Sequence, residues 1–583
     1  MFDNQIRQCV DWRRTFARVA TSTCIAAYPL IGFCGPQSQC EALDDREITI
    51  SCTLPADIPG GAPSASPAEA AKFAWQEFIA LNWPALARNN NSEPRDKPDP
   101  GQPFGKAGYT DPLVWHTYRG KVEIYPGTGM PAGYDEGKPR DYGYDVRPVY
   151  TYAVPVRPLA LVSRPSASPE SRPWINLDEN SQIGLDQIYA GKITDLDTQI
   201  LYMAKANRKE YTYVASNNFF GGEKDKHVRL IFEATAKYVD QHKDDPLQGS
   251  ANLISFPNGT IEVKAAWRKL TQRETQSGRF YTTNVRYYVK GPDNAARYVD
   301  SEFGLVGLHI IQKTATAPYF IYATFEQADN ITDFKEKPLE DVNGNYLGGD
   351  RAPLWPIILS KNATPTTTQQ FSHEGDFGFP AGQLYYQNTP NTGLVSNGKI
   401  IVNKRINKIP PYIIDINQRA HDAMTAYADK HGINRPVWMY YKLVNVQNAP
   451  INKPKAGYDY DADNASTYYQ SNSVIETDYN LQKFSGRFTN FPKNEFTITD
   501  FTDCKFKPGA SNLDKCAKEF DNVAFDGDRV NMGGCMGCHG NAQVSAGSEF
   551  SFILLHGRVP MPDLAGQPVT LEQVNRFAQY FNK

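Results

Sequence analysis

The sequence predicts an α+β protein in which a large β-rich N-terminal body precedes a small all-α C-terminal region. From about residue 255 the chain contains short runs rich in aromatic and β-branched residues, which are typical of strands. All nine cysteines lie before residue 53 or after residue 503, so a long cysteine-free body separates the two ends. We therefore divide the chain into a leader (1–39), a linker (40–66), the body (67–503), with room for two subdomains that meet near residue 250, and a C-terminal region (504–583).

The composition excludes several classes of protein. Hydrophobic residues make up 40% of the 583 residues and aromatic residues 12%, which is enough apolar surface for a substantial core. The formal net charge of −3 gives no basic field that would attract nucleic acid. The body contains no run of 18 apolar residues, so no integral membrane segment is expected once the leader has been removed.

The first residues have the order of a secretory signal peptide. Arg13, Arg14 and Arg18 come before a mostly apolar stretch at 19–34. A core helix is the other interpretation, but Pro29 would interrupt it. We therefore expect an exported protein that resides in the periplasm of a bacterium or outside the cell.

A helix is predicted at the start of the body. Ser66 is a good N-cap, Pro67 is favoured in the first turn, and Glu69 completes a capping box. Apolar residues recur at helical spacing from Ala70 as far as Pro84. Further along, two helical pieces are expected, at 194–208 and 416–430. The predicted strands are Thr260–Trp267, Phe280–Val289, Val306–Lys313, Tyr319–Phe325 and Val437–Val446.

The cysteines outside the leader form three close pairs. Export allows Cys40 to bond Cys52 and Cys504 to bond Cys516, each disulfide closing a short loop. The third pair, Cys535 and Cys538, has a different setting, because a histidine follows it directly.

The pattern Cys535, two residues, Cys538 and His539 is the attachment motif for c-type haem. Two thiols three positions apart lie almost one helical turn apart, so both can form thioethers to one porphyrin while the imidazole reaches the iron. A zinc site completed by Cys504 and Cys516 is an alternative, although an interval of twelve residues is poor for zinc. A thioredoxin-like redox pair is another. We predict a single covalent haem c.

The iron needs a second axial ligand unless it binds a substrate or a gas. Met561 lies between Pro560 and Pro562, which stiffen the backbone around its sulfur, and it is the best candidate. A methionine that fills a gap in the core is the ordinary explanation for such a residue. His556 as the ligand, or a vacant position, are the alternatives. His309, in a predicted strand, is a further residue that could approach the haem edge.

The last residues predict a helix. Thr570 and Gln573 form a capping box, and apolar residues then recur on one face of residues 571–582. With Cys535, Cys538, His539 and Met561, this C-terminal region resembles a small c-type cytochrome. The rest of the chain resembles a group of uncharacterised exported proteins with one C-terminal haem motif, through Ala74–Pro84, Val263–Trp267 and Tyr322–Gln327.

These features favour an exported mono-haem c-type cytochrome that transfers single electrons. The resemblance implies that Cys535 and Cys538 hold the haem and that His539 and Met561 ligate its iron. The body would dock a redox partner protein or bind a small electron donor or acceptor. The first alternative is a haem oxidoreductase of the peroxidase kind with an open iron site. The second is a protein that binds a ligand or senses redox state or a gas.

Overall fold

The structure is a computed structural model of the chain. It describes residues 40–86 without 41 and 45, 95–136 without 107–108 and 110–111, 157–158, 174–180, 187–190, 196–241, 252–348 without 333–336, 384–387, 399–402, 408–449, 472–475, 524–525, 528–529 and 534–567 without 543–546.

The described residues form a mixed α+β fold, as the sequence predicts. The α-helices are α1 (Pro67–Leu81), α2 (Lys121–Ile124), α3 (Arg208–Ser216), α4 (Lys226–Gln241), α5 (Gln272–Ser277), α6 (Pro411–His431), α7 (Gly534–Asn541) and α8 (Phe552–His556). The strands are β1 (Arg119–Gly120), β2 (Arg157–Pro158), β3 (Ile175–Leu177), β4 (Gln187–Ala190), β5 (Leu201–Ala206), β6 (Ile261–Arg268), β7 (Thr282–Lys290), β8 (Ala296–Gln312), β9 (Ile321–Gln327), β10 (Leu384–Gln387), β11 (Lys399–Val402), β12 (Tyr441–Gln447), β13 (Ala524–Phe525) and β14 (Asp528–Arg529).

The main sheet is mostly antiparallel and is organised around the long strand β8. Its order runs β1-β5-β6-β8-β7-β3, and β9 pairs with β8 and then with β12. The first half of β8 pairs with β7, whereas its second half lies between β6 and β9. Since β5 pairs with β6, the sheet continues across residue 250.

The sequence predictions for the body agree with the structure at most elements. Helix α1 begins at Pro67, and the Ser66 hydroxyl and the Glu69 side chain form the expected capping box. Strands β6, β7 and β9 lie within two residues of their predicted bounds, and α6 contains the helix predicted at 416–430. The predicted strand Val306–Lys313 is the second half of the longer strand β8.

Two predictions in the body assign the wrong type of secondary structure. The helix predicted at 194–208 is instead a short 3-10 turn, the strand β5 and the start of α3, because every side chain of β5 is buried and its apolar run has no strand alternation to reveal it. The predicted strand Val437–Val446 begins later, since Val437–Tyr440 form a 3-10 helix before β12.

One face of the sheet is apolar and is covered by α1 and α6. The Trp75 ring meets Phe325 of β9 edge-on at 5.0 Å between centroids, and the Phe78 ring lies 4.3 Å from the same phenylalanine. The Trp75 indole also donates a hydrogen bond of 2.8 Å to Asn417 of α6. The opposite face of the sheet is therefore the one available to the C-terminal segment.

The described part of the C-terminal region shares the main hydrophobic core with the body. Cys535, Met536, Leu554 and Val559 all belong to that core cluster. The boundary predicted between residues 503 and 504 and the helix predicted at 571–582 lie outside the described residues. In the region that the sequence predicts to be all-α, the structure describes the short strands β13 and β14 as well as the helices α7 and α8.

Near the other end of the described chain, Cys40 and Cys52 are joined by a disulfide, the pairing that the sequence analysis proposed. The leader 1–39 lies outside the described residues. Among the helices that the structure describes, none is both long enough and apolar enough to span a membrane.

Candidate functional site

The motif formed by Cys535, Cys538 and His539 lies on helix α7, which packs against the end of β12. Cys535 is buried, and the backbone N–H of Met536 donates a hydrogen bond of 3.0 Å to the Gln447 side-chain oxygen. Cys538 lies on the same helix three residues later, and its side chain is outside what the structure describes. The sheet therefore fixes the beginning of the motif through Gln447.

His539 is held by the backbone of a neighbouring turn. Its Nδ1 lies 2.7 Å from the carbonyl oxygen of Phe550. A carbonyl only accepts hydrogen bonds, so Nδ1 must carry the proton, and Nε2 of the neutral ring keeps a lone pair. The ring packs against Tyr322 at 4.8 Å and against Phe552 at 4.9 Å between centroids.

The side chains beneath the motif come from four adjacent strands. In the sheet register, Glu262 of β6 lies opposite Ile311 of β8, Ile311 opposite Tyr322 of β9, and Tyr322 opposite Gln447 of β12. Residues directly opposite each other in antiparallel strands point to the same face. We call these four residues, Glu262, Ile311, Tyr322 and Gln447, the anchoring row.

Three members of the anchoring row contact the C-terminal segment. Gln447 binds the backbone of Met536 and Tyr322 packs on the ring of His539. The third, Glu262, lies close enough to the Ser551 hydroxyl for that group to lower the pKa of its carboxyl. The neighbours of Met536, His539 and Ser551 therefore follow this row from β12 to β6.

A buried ion pair adds a further anchor beside the row. Lys313 follows the last residue of β8, and its ammonium group contacts the carboxylate of Glu549. The two side chains are 4% and 3% exposed, so both charges are removed from water. Burial raises the pKa of Glu549 to about 6, while Lys313, the Phe256 N–H and the Ser255 hydroxyl oppose the rise.

The surroundings of His539 favour its neutral form. Burial lowers the pKa of its imidazole to about 4, and the nearby His309 and Lys264 side chains act in the same direction, against the hydrogen bond to Phe550. His309 and Lys264 lie opposite each other in the register of β8 and β6, on the face of the anchoring row. A neutral imidazole with a free lone pair on Nε2 is the form that ligates metals.

Met561 lies in a different setting from His539. Its side chain is 53% exposed. The chain around it runs along the body, where the Val559 N–H donates to the Tyr125 carbonyl and the Asp563 N–H donates to the Asp178 carbonyl.

Most of the other residues that the sequence predicts for the site are not described by the structure. Cys504 and Cys516 lie outside the described residues, and so does the side chain of His556. Within the described ranges, no group of three or more His, Cys, Asp or Glu side chains is arranged to hold a metal ion.

The local chemistry around the motif fits a c-type haem. The imidazole of His539 is neutral and oriented by a carbonyl, which is how a metal-ligating histidine is held in its working tautomer. Cys535 is buried one helical turn before it, against the apolar core. Phe552 supplies apolar surface against the ring of His539, and Phe550 is buried.

No family model, curated protein or solved structure matches the chain. Function is therefore inferred from the side chains around His539.

Sequence reasoning missed Glu262, Gln447, Lys313 and Glu549 as parts of the site. A signal for one of them was present, because Glu262 and Lys264 alternate with apolar residues in β6 and so mark a polar face. Tyr322 was noticed only as the first residue of a stretch that carries a family resemblance. Nothing local in the sequence indicates that Gln447 meets Met536, 89 positions away, or that Lys313 meets Glu549, 236 positions away.

Proposed function

We propose that this chain is an exported c-type cytochrome that carries one covalent haem c and transfers single electrons. The observation that carries the proposal is the hydrogen bond from His539 Nδ1 to the Phe550 carbonyl, on the helix that also bears Cys535 and Cys538. When bound, haem c supplies a one-electron iron couple.

The residues of the site have distinct roles in this proposal. Cys535 and Cys538 hold the porphyrin through thioether bonds, and His539 presents Nε2 to the iron. The Phe550 carbonyl keeps the proton on Nδ1, and Tyr322 and Phe552 hold the ring plane and exclude water from its sides. The C-terminal region is proposed to have a cytochrome c-like fold, and the body to dock the redox partner.

The first experiment asks whether haem is attached. The full chain, produced in a bacterium with c-type maturation, is expected to show a haem-adducted mass after denaturation and a reduced-state spectrum typical of haem c. Cys535→Ser and Cys538→Ser should each lose one thioether, and His539→Ala should lose the native ligation. His227→Ala, an exposed histidine on α4, is the matched control and should leave the spectrum unchanged. Colourless protein with both thiols free would contradict the proposal.

A second candidate function is favoured by the exposure of Met561. A methionine whose side chain is half exposed is a weak sixth ligand, so a haem oxidoreductase of the peroxidase kind, with an open iron site, is the alternative. In the electron-carrier proposal the ferric protein is low-spin, and Met561→Ala makes it high-spin. Ferric wild-type protein that is already high-spin and binds cyanide readily would favour the alternative.

The expected location follows from the leader and the disulfide. Disulfides form and persist in oxidising compartments, and the bonded pair Cys40 and Cys52 agrees with export to the periplasm or beyond. The test is fractionation of cells that express the full chain, with the haem signal expected outside the cytoplasm. Haem protein retained in the cytoplasm would contradict this part of the proposal.

A further inference from the structure

The turn that supplies the carbonyl to His539 has an unusual backbone. Glu549 and Phe550 both have positive φ angles, of 49° and 66°, and Gly547 before them has a φ of 70°. For side chains other than glycine, this left-handed region costs about 1–2 kcal/mol per residue. Two such residues in succession persist only when the surrounding structure holds them.

The side chain of Glu549 provides that hold. Its carboxylate accepts hydrogen bonds from the backbone N–H of Phe256 and from the Ser255 hydroxyl, and it pairs with the ammonium group of Lys313. Glu549 is 2% exposed. A buried carboxylate with three donors has one well-defined position, and that position fixes the backbone on either side of it.

Lys313 is in turn fixed by the sheet. Its backbone N–H donates to the carbonyl of Thr260, and its carbonyl accepts from Gly259. It follows β8, which is paired on both edges at its end, with β6 and with β9. The position of the Glu549 carboxylate is therefore tied to the most extensively paired strand of the protein.

Phe550 comes directly after Glu549, and its carbonyl is the acceptor for His539 Nδ1. We propose that Glu549, held by Lys313, is a positioning residue that sets the tautomer and orientation of His539 by fixing the Phe550 carbonyl. The part of this inference that concerns iron rests on the proposed function, whereas the part that concerns the imidazole does not.

The consequence for a bound haem has a definite sign. A strong hydrogen bond from Nδ1 makes the imidazole a better electron donor, which favours ferric over ferrous iron. Loss of the Glu549 anchor should therefore raise the reduction potential.

The test uses a variant that removes the anchor without changing the net charge. Glu549→Ala combined with Lys313→Met deletes one charge of each sign. A shift in reduction potential therefore reflects a changed orientation of His539 and not a changed net charge near the iron. In the full haem-loaded chain we expect about a tenfold higher ferrous-to-ferric ratio at a fixed potential, which is about 59 mV for a one-electron couple. Glu549→Gln combined with Lys313→Met also keeps the net charge and can still accept from Phe256, so it should give a smaller rise and serves if the alanine double variant does not fold.

The matched control breaks another buried ion pair. Glu274 of α5 pairs with Arg268 at the end of β6, and Arg268 is 2% exposed. Glu274→Gln should lower stability without a change of potential. Equal potentials in wild type and in both folded Glu549 variants, or an equal shift in Glu274→Gln, would overturn the inference.

A second measurement needs no haem. In the full chain labelled with ¹⁵N-histidine and produced without haem maturation, we expect His539 to have its proton on Nδ1. In the Glu549→Ala, Lys313→Met variant a mixture with the Nε2-protonated form should appear, because the carbonyl no longer selects one tautomer. If the wild-type chain never acquires haem, the proposed function fails, and the tautomer alone decides the positioning role. The same pure tautomer in the variant would refute it.

Discussion

The carboxyl groups of Glu210 on α3 and Glu262 on β6 face each other in the interior of the protein, both fully enclosed. Burial raises the pKa of both, that of Glu262 to about 7, and the nearby Glu262 raises the pKa of Glu210 further. Because Glu262 is a member of the anchoring row, the pair lies at the edge of the candidate site.

This pair predicts a pH dependence of stability. The pKa of Glu262 is about 7 in the folded chain and about 4.5 when unfolded, so between these values the folded state holds a proton that the unfolded state has lost. Stability therefore falls as pH rises from about 4.5 to 7, by up to about 3 kcal/mol from this group. Urea unfolding at several pH values should show a flatter profile for Glu262→Gln, whereas Glu233→Gln, exposed on α4, should match wild type. Identical profiles for all three proteins would contradict the raised pKa.

A second prediction concerns Lys442 of β12. Its ammonium group lies 2.6 Å from the Glu340 carboxylate and 3.5 Å from that of Glu326, and it is almost wholly buried. Lys442→Met leaves two buried carboxylates without their cation and should cost about 3–5 kcal/mol of unfolding free energy. Asp429→Asn breaks an exposed pair with Arg435 and should cost less than about 1 kcal/mol. Chemical denaturation compares them, and similar losses would show that burial of the charge is not the decisive factor.

Asn417 supports the third prediction, because it ties α6 to two other elements. Its side chain accepts from the Trp75 indole and the Leu443 N–H, and donates to the carbonyls of Asn343 and Leu443. Asn417→Ala leaves several buried donors and acceptors without a hydrogen-bond partner, so it should lower the free energy of unfolding by about 3 kcal/mol or more. Asp415→Ala, exposed two residues earlier on the same helix, is the control and should change the thermal midpoint little. A negligible effect of Asn417→Ala would show that water replaces these bonds.

The fourth prediction separates backbone strain from close packing. Gly547 and Gly278 have similar positive φ angles, of 70° and 66°, but only Gly547 has neighbours: an added Cβ would lie 2.1 Å from the Phe232 carbonyl oxygen. Gly278→Ala should cost about 1 kcal/mol, from strain alone. Gly547→Ala must also push the turn away from α4, so it should destabilise more and disturb His539. Thermal unfolding measures the loss of stability, and the haem spectrum measures the disturbance of His539. Equal losses of stability in the two variants would mean that the turn at Gly547 moves away from α4 without cost.

The sequence predicts the local elements of the body well. The capping box at Ser66 and the aromatic and β-branched runs of β6, β7 and β9 define structure within a few residues, so their bounds follow from short-range physics. Strand β5 was misread because a fully buried strand has the same apolar run as a buried helix.

The candidate site was predicted only at its centre. Cys535, Cys538 and His539 follow from a fixed spacing, whereas the residues that hold them come from distant parts of the chain. The Lys313–Glu549 pair, for example, spans 236 positions. Such contacts depend on which strands become neighbours in the sheet, and no local pattern encodes that choice.

The hydrogen-bonded ladder between β5 and β6 joins the two halves of the sequence on either side of residue 250. A backbone nick at that point would break one covalent connection. The six residue pairs of the ladder, and the core beneath them, would stay intact. The two fragments should therefore remain associated and co-purify. Two halves expressed separately should likewise assemble when they are mixed.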